Sequence, residues 1–382
     1  MTDSLSTWQT WELPAQPDSL LSFQAGIDDL RLTASDGGWA PFLLALSAVQ
    51  PGSRSFCEAA AKQLHSFLLW DDWLKRHGSE DEFSQLTVFL GEVATAGKGC
   101  MGGCRTERRH LSSFPRRLDS KYPLKLEAFV GSLSVLQSSQ GSDSLDRPNG
   151  DSASWMKRYL SCWSAYSTAG LKSHSALRQS LEAGQIPTLH EYLLYRATTN
   201  VAWPTMLLAA TQHHLPPLSD SSFQALLPLI FTAAALTALS ADSLFVTRGK
   251  LATSASLSAA QLFDGETNLL LQNSLAVAFS AVARRIELEA EDLTEGDERA
   301  SLLGFVRVAK SAVHGVMAWY GCAWRFRAQP AAKTATAEAN AGSDDEGDKI
   351  TVEGCGVELI NDVPQWLMDE IETAAGDFSA LH

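Results

Sequence analysis

Two adjacent carboxylates, Asp71 and Asp72, interrupt the stretch FCEAAAKQLHSFLLWDDWLKRHGSEDE at Phe56 to Glu82. Ala60, Leu64, Phe67 and Leu68 recur at the three-and-four spacing of a core-facing helix, and Asp71 falls three and four residues past the last two. The stripe therefore carries Asp71 toward the interior. An ionised carboxylate there is costly unless a metal, a basic side chain or a water-filled cavity meets it. A helix end that simply reaches solvent is the other reading of the pair. Lys75 stands one turn beyond Asp71, spaced to pair with it or to aim its ammonium at a phosphate oxygen. Arg196, in IPTLHEYLLYRATTNVAWP, shares a helical row with Tyr192 and sits in the last turn before a polar break and a proline. Its planar fork of donors suits phosphate or carboxylate, although a surface arginine fits the same pattern. Cys100 and Cys104 in GKGCMGGC lack a second Cys/His pair at ligand spacing and read as loop thiols.

The elements that must position these groups are helices. A chain of 382 residues, 45% hydrophobic and 19% charged, can bury a large core. A net charge of −14 argues against a nucleic-acid surface. Six scattered cysteines suit a reducing compartment. The polar start MTDSLSTWQTWELP lacks a signal peptide's basic and apolar regions, and apolar runs such as Ala225 to Leu239 are interrupted by Thr, Pro or Ser, so the expectation is a cytoplasmic chain without a membrane span. Residues 1–40 read as an N-terminal strap. Long helical patterns then follow one another from 41 to 328 with no alternating strand pattern, which predicts one all-α bundle with a loop-rich insertion at 97–154. Residues 329–382 read as a disordered acidic linker, through 350, and a short terminal helix at VPQWLMDEIETAA.

The segment around Arg196 resembles the helix-break region of class I terpene synthases, in which a proline-initiated helix with Tyr and Arg carries the arginine that senses the substrate diphosphate. The likeness extends in both directions. WDD at Trp70 to Asp72 is similar to the family's aspartate-rich motif, about 125 residues before Arg196. Asp242, in SADSLFVTRGK, lies 46 residues after Arg196, where the second metal motif is expected. FDGETNLLLQNSLAVAFSAVARRIELEAEDL resembles the helix that follows that motif, and Trp319 with Arg325-Phe326 resembles the family's terminal Trp and Arg-Tyr. Over residues 60 to 327 the resemblance implies a helical barrel, open at one end, whose magnesium ions grip a prenyl diphosphate. Ionisation of that ester gives an allylic cation, which an apolar cavity folds into rings. It implies Asp71 and Asp72 as metal ligands, Asp71 and Arg196 as catalytic, and Arg196, Arg248, Arg325 and Lys75 as the diphosphate cradle. Phe67, Phe89, Trp203, Trp319, Tyr320 and Trp324 are candidate cavity aromatics, with core packing as the alternative for each.

The departures bear on metal. In the family's second motif an Asn or Asp, a Ser or Thr and a Glu recur every four residues; here those positions read Ala241, Phe245 and Gly249. Neither Asp242, Val246 and Lys250 nor Ser243, Thr247 and Leu251 restore them. Three readings stay open. The first is a divergent cyclase of secondary metabolism, with few magnesium ions or none. The second is an enzyme of altered chemistry that captures a terpenyl cation with an amine or other nucleophile, or rearranges a preformed terpenoid. The third is a non-catalytic terpenoid-binding protein. Without side-chain oxygens at 241, 245 and 249, magnesium is expected to bind weakly in the absence of diphosphate, and Asp71→Ala to harm function less than Arg196→Ala. A magnesium titration of diphosphate affinity across the three proteins checks this. A steep metal requirement abolished by Asp71→Ala alone would overturn it.

Overall fold

The computed structural model describes residues 151–166, 183–185, 187–247, 265–293, 296–322 and 364–380, together with single positions at 56, 59, 60, 63, 88, 133, 135, 136, 176, 177, 179 and 180. Seven long helices run through these segments: α1 (Asp151–Ala165), α2 (Leu189–Thr199), α3 (Ala202–Gln212), α4 (Asp220–Thr247), α5 (Gly265–Asp292), α6 (Asp297–Cys322) and α7 (Gln365–Ala380). No strand occurs among the described residues, so this part of the chain is all-α. The expected strap at 1–40 and the linker through 350 lie outside the described residues, as does most of the insertion at 97–154. Within that insertion, residues 133, 135 and 136 are helical, and α1 begins at Asp151, a few residues before the boundary that the polar run suggested.

The arrangement follows from α4. Its 28 residues, DSSFQALLPLIFTAAALTALSADSLFVT, include a long stretch apolar on all sides, and such a helix must be covered all round. Helices α2, α3, α5, α6 and α7 all pack against it. By length and composition Asp220–Asp242 is long and apolar enough to cross a membrane, despite its Thr, Pro and Ser interruptions. In the fold, 78% of that window is buried inside the protein, the state of a core helix. Pro228 stands within α4 and removes one donor from its ladder; the Thr232 hydroxyl donates back to the Pro228 carbonyl at 2.9 Å.

Ahead of α4, the connection from α3 is fastened by side chains of α1 and α6. Trp155 Nε1 donates to the carbonyls of Leu215 and Pro216, 3.0 Å each, while its ring stacks on Phe305 at 5.2 Å. Arg158 donates to Leu218 O at 2.9 Å and lies 4.0 Å over the Phe223 ring. Ser301 Oγ donates to Pro216 O. At Gly304 on α6 a Cβ would stand 2.6 Å from Leu215 Cδ2, so a larger residue there would require the Leu215 side chain to shift. Residues 176, 177, 179 and 180 are helical, and Gly184 after them has φ 73°, the left-handed conformation of a helix C-cap. Phe56, Ala59, Ala60 and Gln63 are helical and buried at three-and-four spacing, and Tyr159 of α1 donates to Gln63 Oε1 at 2.8 Å. Leu64, Phe67, Leu68, Asp71 and Asp72 lie outside the described residues.

The terminal helix α7 is built into the core. It packs on α2, α4 and α5 and buries Leu367, Ile371, Ala374, Ala375 and Phe378 at the spacing of one helical face. The Phe378 ring meets Trp203 at 5.1 Å and Phe231 at 5.6 Å, and His190 Nε2 of α2 lies 2.9 Å from Asp377 Oδ2. If α7 closes the core as these contacts indicate, Phe378→Ala should cost about 3–5 kcal/mol of folding stability. Trp366→Ala, at an exposed position of the same helix, should stay within about 0.5 kcal/mol. Urea unfolding of both variants checks the contrast; equal midpoints would place α7 outside the cooperative core.

Candidate functional site

Helix α2 starts on a capping box: Thr188 Oγ1 accepts the Glu191 amide at 3.2 Å, and the Glu191 carboxylate accepts the Thr188 amide at 2.9 Å. The helix ends inside the protein. Thr198, Thr199 and Asn200 are all buried, and Asn200 leaves the helix at φ −85°, ψ 140°. The two threonine hydroxyls donate back to Leu194 O and Tyr195 O, at 2.7 and 2.9 Å, and so satisfy acceptors near the helix end. Asn200 Oδ1 accepts the Ala202 amide at 2.7 Å and the Thr237 hydroxyl of α4 at 3.2 Å. One side chain thereby takes the first amide of α3 and ties the break to the central helix. Pro204 falls in the first turn of α3, where a missing amide donor is tolerated. The break that the sequence places after Arg196 is therefore real and buried.

On one face α2 presents Tyr192 and, one turn later, Arg196 to Asp242 of α4. Arg196 Nη2 lies 2.6 Å from Asp242 Oδ1 and 3.4 Å from Ala238 O. Tyr192 Oη donates to Asp242 Oδ2 at 2.5 Å. Among the described residues Arg196 and Asp242 are the only buried charged side chains, at 9% and 3% exposure. Burial, and then the adjacent carboxylate, push the Tyr192 phenol well above its usual range, so it remains a proton donor at neutral pH. Burial does the same to Tyr159. Chemically the cluster is a guanidinium and a phenol converging on one oxyanion.

The structure brings together Arg196 and Asp242, both singled out in the sequence, as an ion pair; Asp242, placed by its spacing where a magnesium ligand is expected, is instead an acceptor for Arg196 and Tyr192. Both its oxygens meet donors, Arg196 on one and Tyr192 on the other, and a carboxylate so paired does not fit a magnesium ion. The signal that could have found the pairing is a lone acid at the end of a long apolar run, 46 residues from a lone arginine at the end of another helix. Ala241 is buried, and Phe245 lies on the described backbone of α4. Trp203 is 2% exposed, within the α7 aromatic contact, so it packs as core. Trp319 and Tyr320 lie on the described backbone of α6, their side chains outside what is described. Asp71, Asp72, Lys75, Phe67, Phe89, Arg248, Gly249, Trp324 and Arg325 all lie outside the described residues. Among the described residues no group of three or more His, Cys, Asp or Glu side chains could hold a metal ion.

Because the pair is desolvated, Arg196→Ala and Asp242→Ala should each cost about 3–5 kcal/mol by stranding a charge, while the double variant Arg196→Met/Asp242→Leu should cost less than their sum. Urea unfolding of the three proteins checks this; additive losses would mean that the two groups are not coupled. The unfolded chain releases tyrosine protons near pH 10, whereas the folded chain retains those of Tyr159 and Tyr192. Stability should therefore fall as pH rises from about 10, and less steeply in Tyr192→Phe, as thermal unfolding across pH 8 to 11 would register. No protein-family model matches the chain, and no curated protein matches it in sequence.

Proposed function

We propose that the chain is a divergent class I terpene cyclase-like enzyme that binds a prenyl diphosphate and directs cyclisation of the resulting carbocation, in a fold built like that family's helical barrel. The observation that carries this reading is Arg196: a buried guanidinium in the last turn of α2, beside an internal helix break, in an all-α bundle. A cation in that position stabilises the departing diphosphate as the carbon–oxygen bond breaks and the electron pair stays with the phosphate oxygen. In this reading Lys75, Arg248 and Arg325 supply further positive charge. Magnesium, where the aspartate-rich stretch holds it, would add charge neutralisation through Asp71 and Asp72. No step is assigned to a metal at Asp242, whose oxygens are taken.

That same occupancy of Asp242 favours a second reading, in which the fold performs altered chemistry on a terpenoid, such as capture of a terpenyl cation by an amine. Incubating the purified protein with a series of prenyl diphosphates, with and without magnesium and with and without a primary amine, separates the two by their products. Cyclic hydrocarbons or alcohols support cyclisation; amine adducts support capture. Arg196→Ala should lower kcat/KM by about 10²–10³, the usual loss for a group that meets developing negative charge, and Arg196→Lys should recover part of it. Absence of any product together with no detectable diphosphate binding would overturn both.

A further inference from the structure

Two donors on α2 converge on one carboxylate of α4, in the interior. The Arg196 guanidinium meets Asp242 Oδ1 at 2.6 Å and the Tyr192 phenol meets Oδ2 at 2.5 Å. A guanidinium pairs with carboxylate and with phosphate through the same fork of donors, and a phenol donates to either. We propose that Tyr192 and Arg196 together form an oxyanion site for the diphosphate group, and that Asp242 is its built-in occupant, a latch displaced by the ligand's anionic oxygens. This rests on the diphosphate-binding reading above and adds Tyr192 and Asp242 to it.

Among the described residues, these three groups stand without another buried charge beside them. The buried side chains of α3 and the buried polar side chains of α5, Asn268, Asn273 and Ser274, are uncharged, so no other described buried charge faces the pair. The cluster is neutral overall with Asp242 ionised and carries one positive charge without it. A ligand oxyanion and the Asp242 carboxylate repel one another if they share the same guanidinium, so the wild type binds diphosphate only by moving its own acid aside. Neutralising Asp242 should then tighten binding. A residue that merely supports the fold would do the opposite or nothing.

The test is calorimetry of the full chain with inorganic diphosphate at low ionic strength. Asp242→Asn, which can still accept hydrogen bonds, is expected to bind at least about tenfold tighter than wild type, and Arg196→Gln in that background to abolish the gain. Equal or weaker binding by a cooperatively folding Asp242→Asn protein overturns the latch. Tyr192→Phe keeps the ion pair and guards against an Asp242 variant that fails to fold: it should weaken diphosphate binding about threefold to tenfold. An affinity equal to wild type overturns the paired-donor site. Failure of the parent reading looks different. A chain that turns over no prenyl diphosphate while Asp242→Asn gains diphosphate affinity keeps the latch and loses the cyclase, whereas turnover without that gain does the reverse.

Discussion

A helix that is apolar on every side leaves its neighbours little choice. The stretch Leu226 to Leu239 in α4 has hardly a solvent-facing stripe, so α2, α3, α5, α6 and α7 must all contribute faces to it. This requirement accounts for features that otherwise look unrelated. The α3–α4 connection is pinned by Trp155, Arg158 and Ser301, since the entry angle of α4 sets the position of everything packed on it. Gly304 of α6 faces the Leu215 side chain of that connection. The C-terminal helix returns to the bundle and fills the remaining side with Phe378.

Against that background a charge on α4 is conspicuous. Asp242 ends the apolar stretch while still buried, and its cost is offset by one guanidinium and one phenol on α2. A buried ion pair is weak evidence for stability, because well-packed apolar side chains in the same space commonly do as well or better. Stability alone therefore does not account for keeping Tyr192, Arg196 and Asp242. They are best understood through what they exclude: with one acid and one base at a single level of the α2–α4 contact, a shift of one helix along the other by a turn would strand both charges.

Much of the fold is legible in the sequence, and less of the site is. Three-and-four spacing reveals helices directly, and local signals such as Thr188 with Glu191, Asn200 before Pro204, and Gly184 mark their ends, because each rests on chemistry within a turn or two of the chain. The core role of α7 is not legible: VPQWLMDEIETAA is amphipathic but short, and nothing local says whether its apolar face meets this bundle, a partner or nothing. Trp203 is opaque for the same reason, since an aromatic ring on an apolar helix reads alike whether Phe378 or a ligand covers it. Asp242 was visible as an unusual acid, yet pairing is a property of two helices, and a search for repeated metal ligands along one of them could not reveal it.

The chemistry that α4 can support depends on what its buried carboxylate already binds. A magnesium ion needs oxygens that are not already engaged, and it requires them in a rigid octahedral arrangement. Asp242 offers two oxygens that are each held by a proton donor, one of them on a cation, so placing a dication there would set positive charge against Arg196 inside a poorly screened interior. The guanidinium and the ion are therefore alternatives at this position, and the fold has the guanidinium. It is permanently charged, delivered by its own helix, and needs no bound ion to be present. An anion that reached this part of the α2–α4 contact would meet a fixed donor, and under the latch proposed above its affinity would depend on how readily Asp242 gives way.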